Sequence, residues 1–168
     1  MKLLVYGHKG WIGTQFISLL QTNNEKYILS TARVDDTLNL LKELDTIKPT
    51  HVISFIGRTH GTIGEKEYTT IDYLEQPGKL VENIKDNLFS PVSLAIACKE
   101  RNIHYTYLGT GCIFTYLDGN DSLEKGFEEE DVPNFFGSGY SIVKGFTDRL
   151  MHQLADNVLN LRIRIPIV

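Results

Sequence analysis

Cysteine is scarce in this 168-residue chain: Cys98 and Cys112 are the whole complement, too few for a disulfide framework. No apolar run approaches the ~20 residues that cross a bilayer, and the opening Met1-Lys2-Leu3-Leu4-Val5-Tyr6-Gly7 is too short in its apolar part for a signal peptide. A cytoplasmic protein with no membrane partner is the expectation. Basic excess is missing too. Seventeen Lys and Arg against 21 Asp and Glu give a net charge of -4, which argues against a nucleic-acid partner. A locally positive pocket for a small anionic ligand stays allowed. Repeats, low-complexity tracts and linkers are absent, and the length suits one domain of the usual ~100–150 residues.

What is present is alternation. Short aliphatic or β-branched runs at 3–6, 27–30, 51–55, 104–108 and 159–165 read as strands. Between them, 13–22, 37–47, 79–102 and 140–157 carry apolar residues at helical spacing, and Pro91 should kink or split the third helix, or open its second half. Near-continuous apolar strands alternating with helices predict an α/β fold, a doubly wound parallel sheet of the Rossmann type. Two long loops, 57–78 and 110–139, follow carboxyl ends of strands, where such sheets bind ligands. Within the second, Glu128-Glu129-Glu130-Asp131 reads as a solvated acidic turn. The histidines lack ligand spacing with acids or cysteines, and no metal site is assigned. The chain stops just after its last strand, so a C-terminal substrate lid is expected to lie beyond Val168.

Gly7-His8-Lys9-Gly10-Trp11-Ile12-Gly13 is a G-x-x-G-x-x-G turn between the first strand and the first helix. Gly7 permits a tight turn, Gly10 lets backbone approach a pyrophosphate, and Gly13 allows close helix–strand packing. Amides at the helix start then face phosphates. Trp11 and Ile12 sit inside the turn, Trp11 either near the pyrophosphate or as a helix-start anchor. After the second strand, Thr31-Ala32-Arg33-Val34-Asp35-Asp36 brings an arginine before an acid. Arginine there suits the 2′-phosphate of NADP, so NADP(H) is the expected cofactor; the alternative is a surface arginine paired with Asp35. Phe55-Ile56-Gly57-Arg58-Thr59 closes the third strand, with Phe55, Gly57 and Thr59 expected beside the cofactor's ribose and pyrophosphate.

Tyr140 and Lys144 form a Y-x-x-x-K pair on one helical face. A tyrosine of pKa ~10 is a poor acid/base near neutrality, and an adjacent ammonium, with the oxidised nicotinamide's charge, is expected to lower it. Lys144 also has donors for a nicotinamide ribose. Upstream, Leu108-Gly109-Thr110-Gly111-Cys112-Ile113-Phe114 ends a strand in a hydroxyl residue that can polarise a substrate carbonyl toward Tyr140. Cys98, in an apolar helix stretch, is assigned to the core.

Together the glycine turn, Thr110, Tyr140 and Lys144 resemble the extended short-chain dehydrogenase/reductase family along the whole chain. Ser54–Gly61, Thr70–Asn87, Tyr107–Phe114 and Asn134–Lys144 are similar, more narrowly, to the bifunctional UDP-4-keto-6-deoxy-glucose 3,5-epimerase/4-reductases of UDP-L-rhamnose synthesis. That resemblance implies an NADPH-dependent enzyme acting on a nucleotide-linked 4-keto-6-deoxy sugar, with a homodimer allowed for. Tyr140 would be the acid, Thr110 the carbonyl donor, Lys144 the residue that tunes Tyr140 and grips the ribose, and Cys112 the epimerisation acid/base. Asn87 would match the family's supporting asparagine, on the substrate side with Thr110 and Cys112. Related readings are a dTDP-4-keto-rhamnose reductase, a reductase like GDP-fucose synthase, or a non-catalytic NADP-binding regulatory subunit.

Overall fold

A computed structural model describes residues 1–116 and 126–164. Five strands form one parallel sheet: β1 (Leu3–Tyr6), β2 (Tyr27–Leu29), β3 (His51–Ser54), β6 (His104–Thr110) and β7 (Val158–Ile163), in the order β2-β1-β3-β6-β7. The expected doubly wound architecture is what forms. Strand alternation divides the core by face. Leu3 and Val5 point to α1 (Trp11–Thr22), where they meet Phe16, Leu20 and Phe55. Leu4, Tyr6, Val52, Tyr105 and Tyr107 point the other way, toward α2 (Thr37–Ile47), α4 (Ser90–Lys99) and α5 (Gly139–His152). Cys98 lies fully buried in this second layer, its thiol pushed up to about 12 by burial.

The chain reverses its direction of winding between β1 and β3, which places a crevice at their carboxyl ends. Three expected elements differ in detail. The first helix starts at Trp11, inside the glycine turn, because Gly10 caps it in an extended conformation. The 57–78 loop is partly ordered: β4 (Gly61–Ile63) and β5 (Lys66–Tyr68) make an antiparallel hairpin, and Ile71–Tyr73 a 3₁₀ turn. The expected 79–102 helix is three pieces, α3 (Leu80–Ile84), a wide π turn at Lys85–Phe89, and α4. Pro91 supplies the cause. It has no N–H to give to the carbonyl of Asn87 four residues back, and the Thr147 hydroxyl donates to that oxygen instead at 2.7 Å.

The acidic run closes into a turn, with Asp131 accepting from the Glu128 amide at 2.7 Å and donating back to its carbonyl at 3.2 Å. Arg162 on β7 donates to the carbonyls of Glu128, Glu129 and Asp131, while the buried Asp148 of α5 holds its guanidinium at 2.8 Å. No helix among the described residues is long and apolar enough to cross a membrane.

Candidate active site

The glycine turn fits a dinucleotide by exclusion of side chains. Gly7 has φ +70°, and a Cβ there would lie 2.7 Å from the Phe55 carbonyl carbon. A Cβ at Gly13 would lie 2.3 Å from the Gly7 oxygen, so helix and turn touch backbone to backbone. Gly10 donates to the Gly7 oxygen at 3.1 Å and tightens the bend. Beside the turn runs a groove of about 450 Å³, walled by Gly7, Gly10, Arg33, Phe55, Gly57 and Arg58 among others. His8 Nδ1 is buried without a hydrogen-bond partner, an orphaned polar atom in the turn itself. These features suit a pyrophosphate lying on α1.

Not every expected contact forms. Trp11 stands 55% exposed at the start of α1, and neither it nor Ile12 walls the groove. Thr59 is exposed, with its hydroxyl against the His60 ring at 3.2 Å rather than on the groove. Arg33 forks onto Asp35, with Nε at 2.9 Å and Nη2 at 3.1 Å, so the surface pair weighed as the alternative is the arrangement formed.

The second cluster is buried. Thr110, ending β6, caps the turn Gly111–Ile113 by accepting from the Cys112 amide at 3.1 Å. The Thr110 hydroxyl lies near enough to the buried Tyr140 hydroxyl to bear on its titration. Ser141 donates to the Cys112 carbonyl at 2.8 Å and so pins the start of α5 to that turn. Cys112 is half-buried and packs in the group formed by Tyr73, Leu74 and Tyr140. One turn along α5, Lys144 is 5% exposed and donates to the Tyr107 hydroxyl.

The electrostatics bear on one expectation. The Tyr140 hydroxyl is pushed up to about 12, because burial outweighs the nearby Thr110 hydroxyl. Burial likewise draws Lys144 down to about 8, with Asp148 opposing. Burial rather than any nearby charge dominates Tyr140, so the protein by itself keeps the tyrosine as a proton donor. Asn87 also departs from its expected place facing substrate. Its Oδ1 accepts from the Arg58 amide and its Nδ2 donates to the Arg58 carbonyl, both at 2.9 Å, so it ties the π turn to the segment after β3.

Two residues that matter were not picked out singly from the sequence. Tyr107 receives Lys144; its alternation with Tyr105 on the inward face of β6 was the available signal. Glu75 accepts from the amides of Gly139 and Tyr140 at 2.8 and 3.0 Å, capping the helix that carries Tyr140 and Lys144. It had been noticed only as part of the segment 70–87. A larger hollow of about 960 Å³ follows β7 past Gly111, Phe114 and Arg162, and neither Tyr140 nor Lys144 lines it.

The fold is of the Rossmann type, with Thr110, Tyr140 and Lys144 gathered at the carboxyl end of β6 and the start of α5. No protein-family model matches the chain. It is a close homologue of protein L780 of Acanthamoeba polyphaga mimivirus, 56% identical over 167 residues that make up 99% of this chain and 56% of the relative. The crystal structure described as the L780 UDP-rhamnose synthase superposes with a TM-score of 0.91, covering 99% of this chain and 57% of that one. An Arabidopsis thaliana bifunctional dTDP-4-dehydrorhamnose 3,5-epimerase/dTDP-4-dehydrorhamnose reductase is 33% identical over 165 residues, 98% of this chain and 52% of the relative. A Bacillus anthracis dTDP-4-dehydrorhamnose reductase in complex with NADP shares the fold, with a TM-score of 0.75 at 15% identity, over 96% of this chain and 52% of that one. The chain spans about half the length of these relatives.

Proposed function

We propose that the chain is the NADP(H)-binding half of a 3,5-epimerase/4-keto-reductase that turns UDP-4-keto-6-deoxy-glucose into UDP-L-rhamnose. The observation that carries the reading is the gathering of Thr110, at the end of β6, with the buried Tyr140 and, one turn along α5, Lys144. Its likeness to a protein described as a UDP-rhamnose synthase supplies the substrate class. Gly7, Gly10, Gly13, Phe55 and Gly57 would hold the dinucleotide, which when bound supplies the hydride for C4 of the sugar. Thr110 donates to the C4 carbonyl oxygen and orients it. Tyr140, kept protonated by burial, gives its proton to that oxygen as the alcohol forms. Lys144 holds the nicotinamide ribose.

Cys112 serves the preceding step. The C4 ketone acidifies the protons on C3 and C5, and a thiolate can remove one to leave an enediolate that a second acid, on the opposite face, reprotonates. The test incubates the chain, alone and joined to the C-terminal part of its mimivirus relative, with NADPH and UDP-4-keto-6-deoxy-glucose. NADPH consumption with formation of a UDP-deoxyhexose, and deuterium entry at C3 and C5 in heavy water without cofactor, are expected. Loss of exchange in Cys112→Ser with the reduction of an epimerised substrate retained would separate the two activities. NADPH left unconsumed by the joined protein overturns the reading.

A further inference from the structure

At the outer end of the groove, two cations from different parts of the fold converge on one carboxylate. Arg33, after β2, forks onto Asp35, and Lys85, the first residue of the π turn, reaches the same carboxylate with Nζ 2.6 Å from Oδ2. Arg33 and Asp35 both wall the groove, as does Asp86 next to Lys85. The anion is the sheltered member: the Asp35 side chain is 12% exposed, whereas Arg33 and Lys85 are 74% and 50% exposed. Its two cationic partners hold the Asp35 carboxyl down to about 2, so it is ionised at any physiological pH.

The π turn explains how Lys85 comes to be there. Lys85, Asp86 and Asn87 are consecutive, yet each reaches toward the nucleotide-binding side: Lys85 to Asp35, Asp86 to the Arg58 guanidinium and Asn87 to the Arg58 backbone. An ordinary helix turns ~100° per residue and spreads three neighbours around its axis. Such wide turns recur at functional positions.

We infer that Lys85 and Arg33 form a two-cation cradle for the 2′-phosphate of an NADP-type dinucleotide, with Asp35 the internal anion that the phosphate displaces. This rests on the proposed reading that the groove takes the phosphorylated nicotinamide cofactor. A planar guanidinium fork with a compact ammonium beside it suits phosphate oxygens. Asp35 acts in opposition. Left ionised beside the arriving phosphate, it repels, and it sets a ceiling on the preference for the phosphorylated cofactor.

The probes are adenosine 2′,5′-bisphosphate and adenosine 5′-monophosphate, which differ by the phosphate in question, titrated calorimetrically into the wild-type chain and its variants. Wild type should bind the bisphosphate more tightly. Lys85→Ala should weaken bisphosphate binding about tenfold, the loss of one charge-assisted contact, and leave the monophosphate unchanged. Lys85→Arg should keep the preference, and Asp35→Asn should raise bisphosphate affinity. If wild type binds both probes equally, the NADP reading falls and the cradle with it. If wild type prefers the bisphosphate and Lys85→Ala keeps that preference in full, the cradle alone is overturned. A drop in bisphosphate affinity in Asp35→Asn removes Asp35 as competitor, and binding of neither probe overturns both readings.

Discussion

Around the glycine turn the backbone makes the fit and the side chains stay in water: Trp11 is 55% exposed, Arg33 lies on the surface, and Gly7 and Gly13 count by what they omit. Around Tyr140 the arrangement is reversed. Thr110, Tyr140, Lys144 and Tyr107 are all buried, with Lys144 donating to the Tyr107 hydroxyl. Turn geometry can be read from glycine spacing because sterics act locally. A buried cluster depends on which strands and loops fold over it, and spacing says little about that. The turn should therefore fail by clash, and the cluster by lost chemistry or altered titration.

The largest effect is expected in the cluster. Tyr140→Phe removes the proton donor and should slow ketone reduction ~10²–10⁴-fold with NADPH binding retained. Steady-state rates alongside calorimetric cofactor titration check this, and reduction above a tenth of the wild-type rate would reject Tyr140 as the acid. In the turn, Gly13→Ala must push a methyl group onto the Gly7 carbonyl, which the helix cannot yield without shifting. About 1–3 kcal/mol of stability should be lost, measured by urea denaturation, together with dinucleotide binding. A Gly13→Ala variant with wild-type stability and binding would show that the turn is looser than its contacts imply.

Legibility followed the same division. The parallel sheet, the glycine turn and the core position of Cys98 were all readable, because periodicity and short motifs encode them. Helix α2 begins and ends where the pattern placed it, since Asp36 caps its start and Lys48 takes a left-handed conformation at its end. The π turn was not readable. Pro91 predicted a disturbance, but its form depends on Thr147 arriving from α5 to take the freed carbonyl. Asn87 was misplaced for a similar reason: its partners belong to the backbone of Arg58, far away in sequence. The titration of Tyr140 in the protein alone was not readable, because an ammonium four residues away says nothing about burial, which dominates both groups.

Lys144 offers a test by titration. Its folded pKa of about 8 lies below the ordinary 10.5, so the folded state holds the proton less firmly than the unfolded chain. Burying the ammonium thus costs stability below pH 8, and the cost disappears as pH rises toward 10.5. Lys144→Met removes the titration. Thermal melts of the two proteins from pH 7 to 10.5 should show the stability difference moving in favour of wild type, by up to ~3 kcal/mol. A difference that stays flat with pH would mean that the ammonium is solvated and the cluster is wetter than its burial indicates.

Glu75 links the regions, and its effect should be the smallest because it acts on chemistry through the backbone. Its carboxylate reaches from the loop after β3 to the first amides of α5, which have no partner within the helix. Ser138 caps the same end by accepting from Ser141, so the helix keeps one cap without Glu75. Glu75→Ala should therefore cost about 1 kcal/mol rather than unfold the chain. Its functional signature is more specific than that loss. The amide of Tyr140 is one of the two that Glu75 holds, so slackening the first turn moves the tyrosine hydroxyl relative to Thr110 while the glycine turn is untouched. The rate of reduction should fall several-fold with cofactor affinity unchanged. Glu75→Gln, which keeps one acceptor oxygen, should recover part of the rate. Equal loss of cofactor affinity and rate would point to general destabilisation instead, and would break the separation between a backbone-built turn and a side-chain-built cluster.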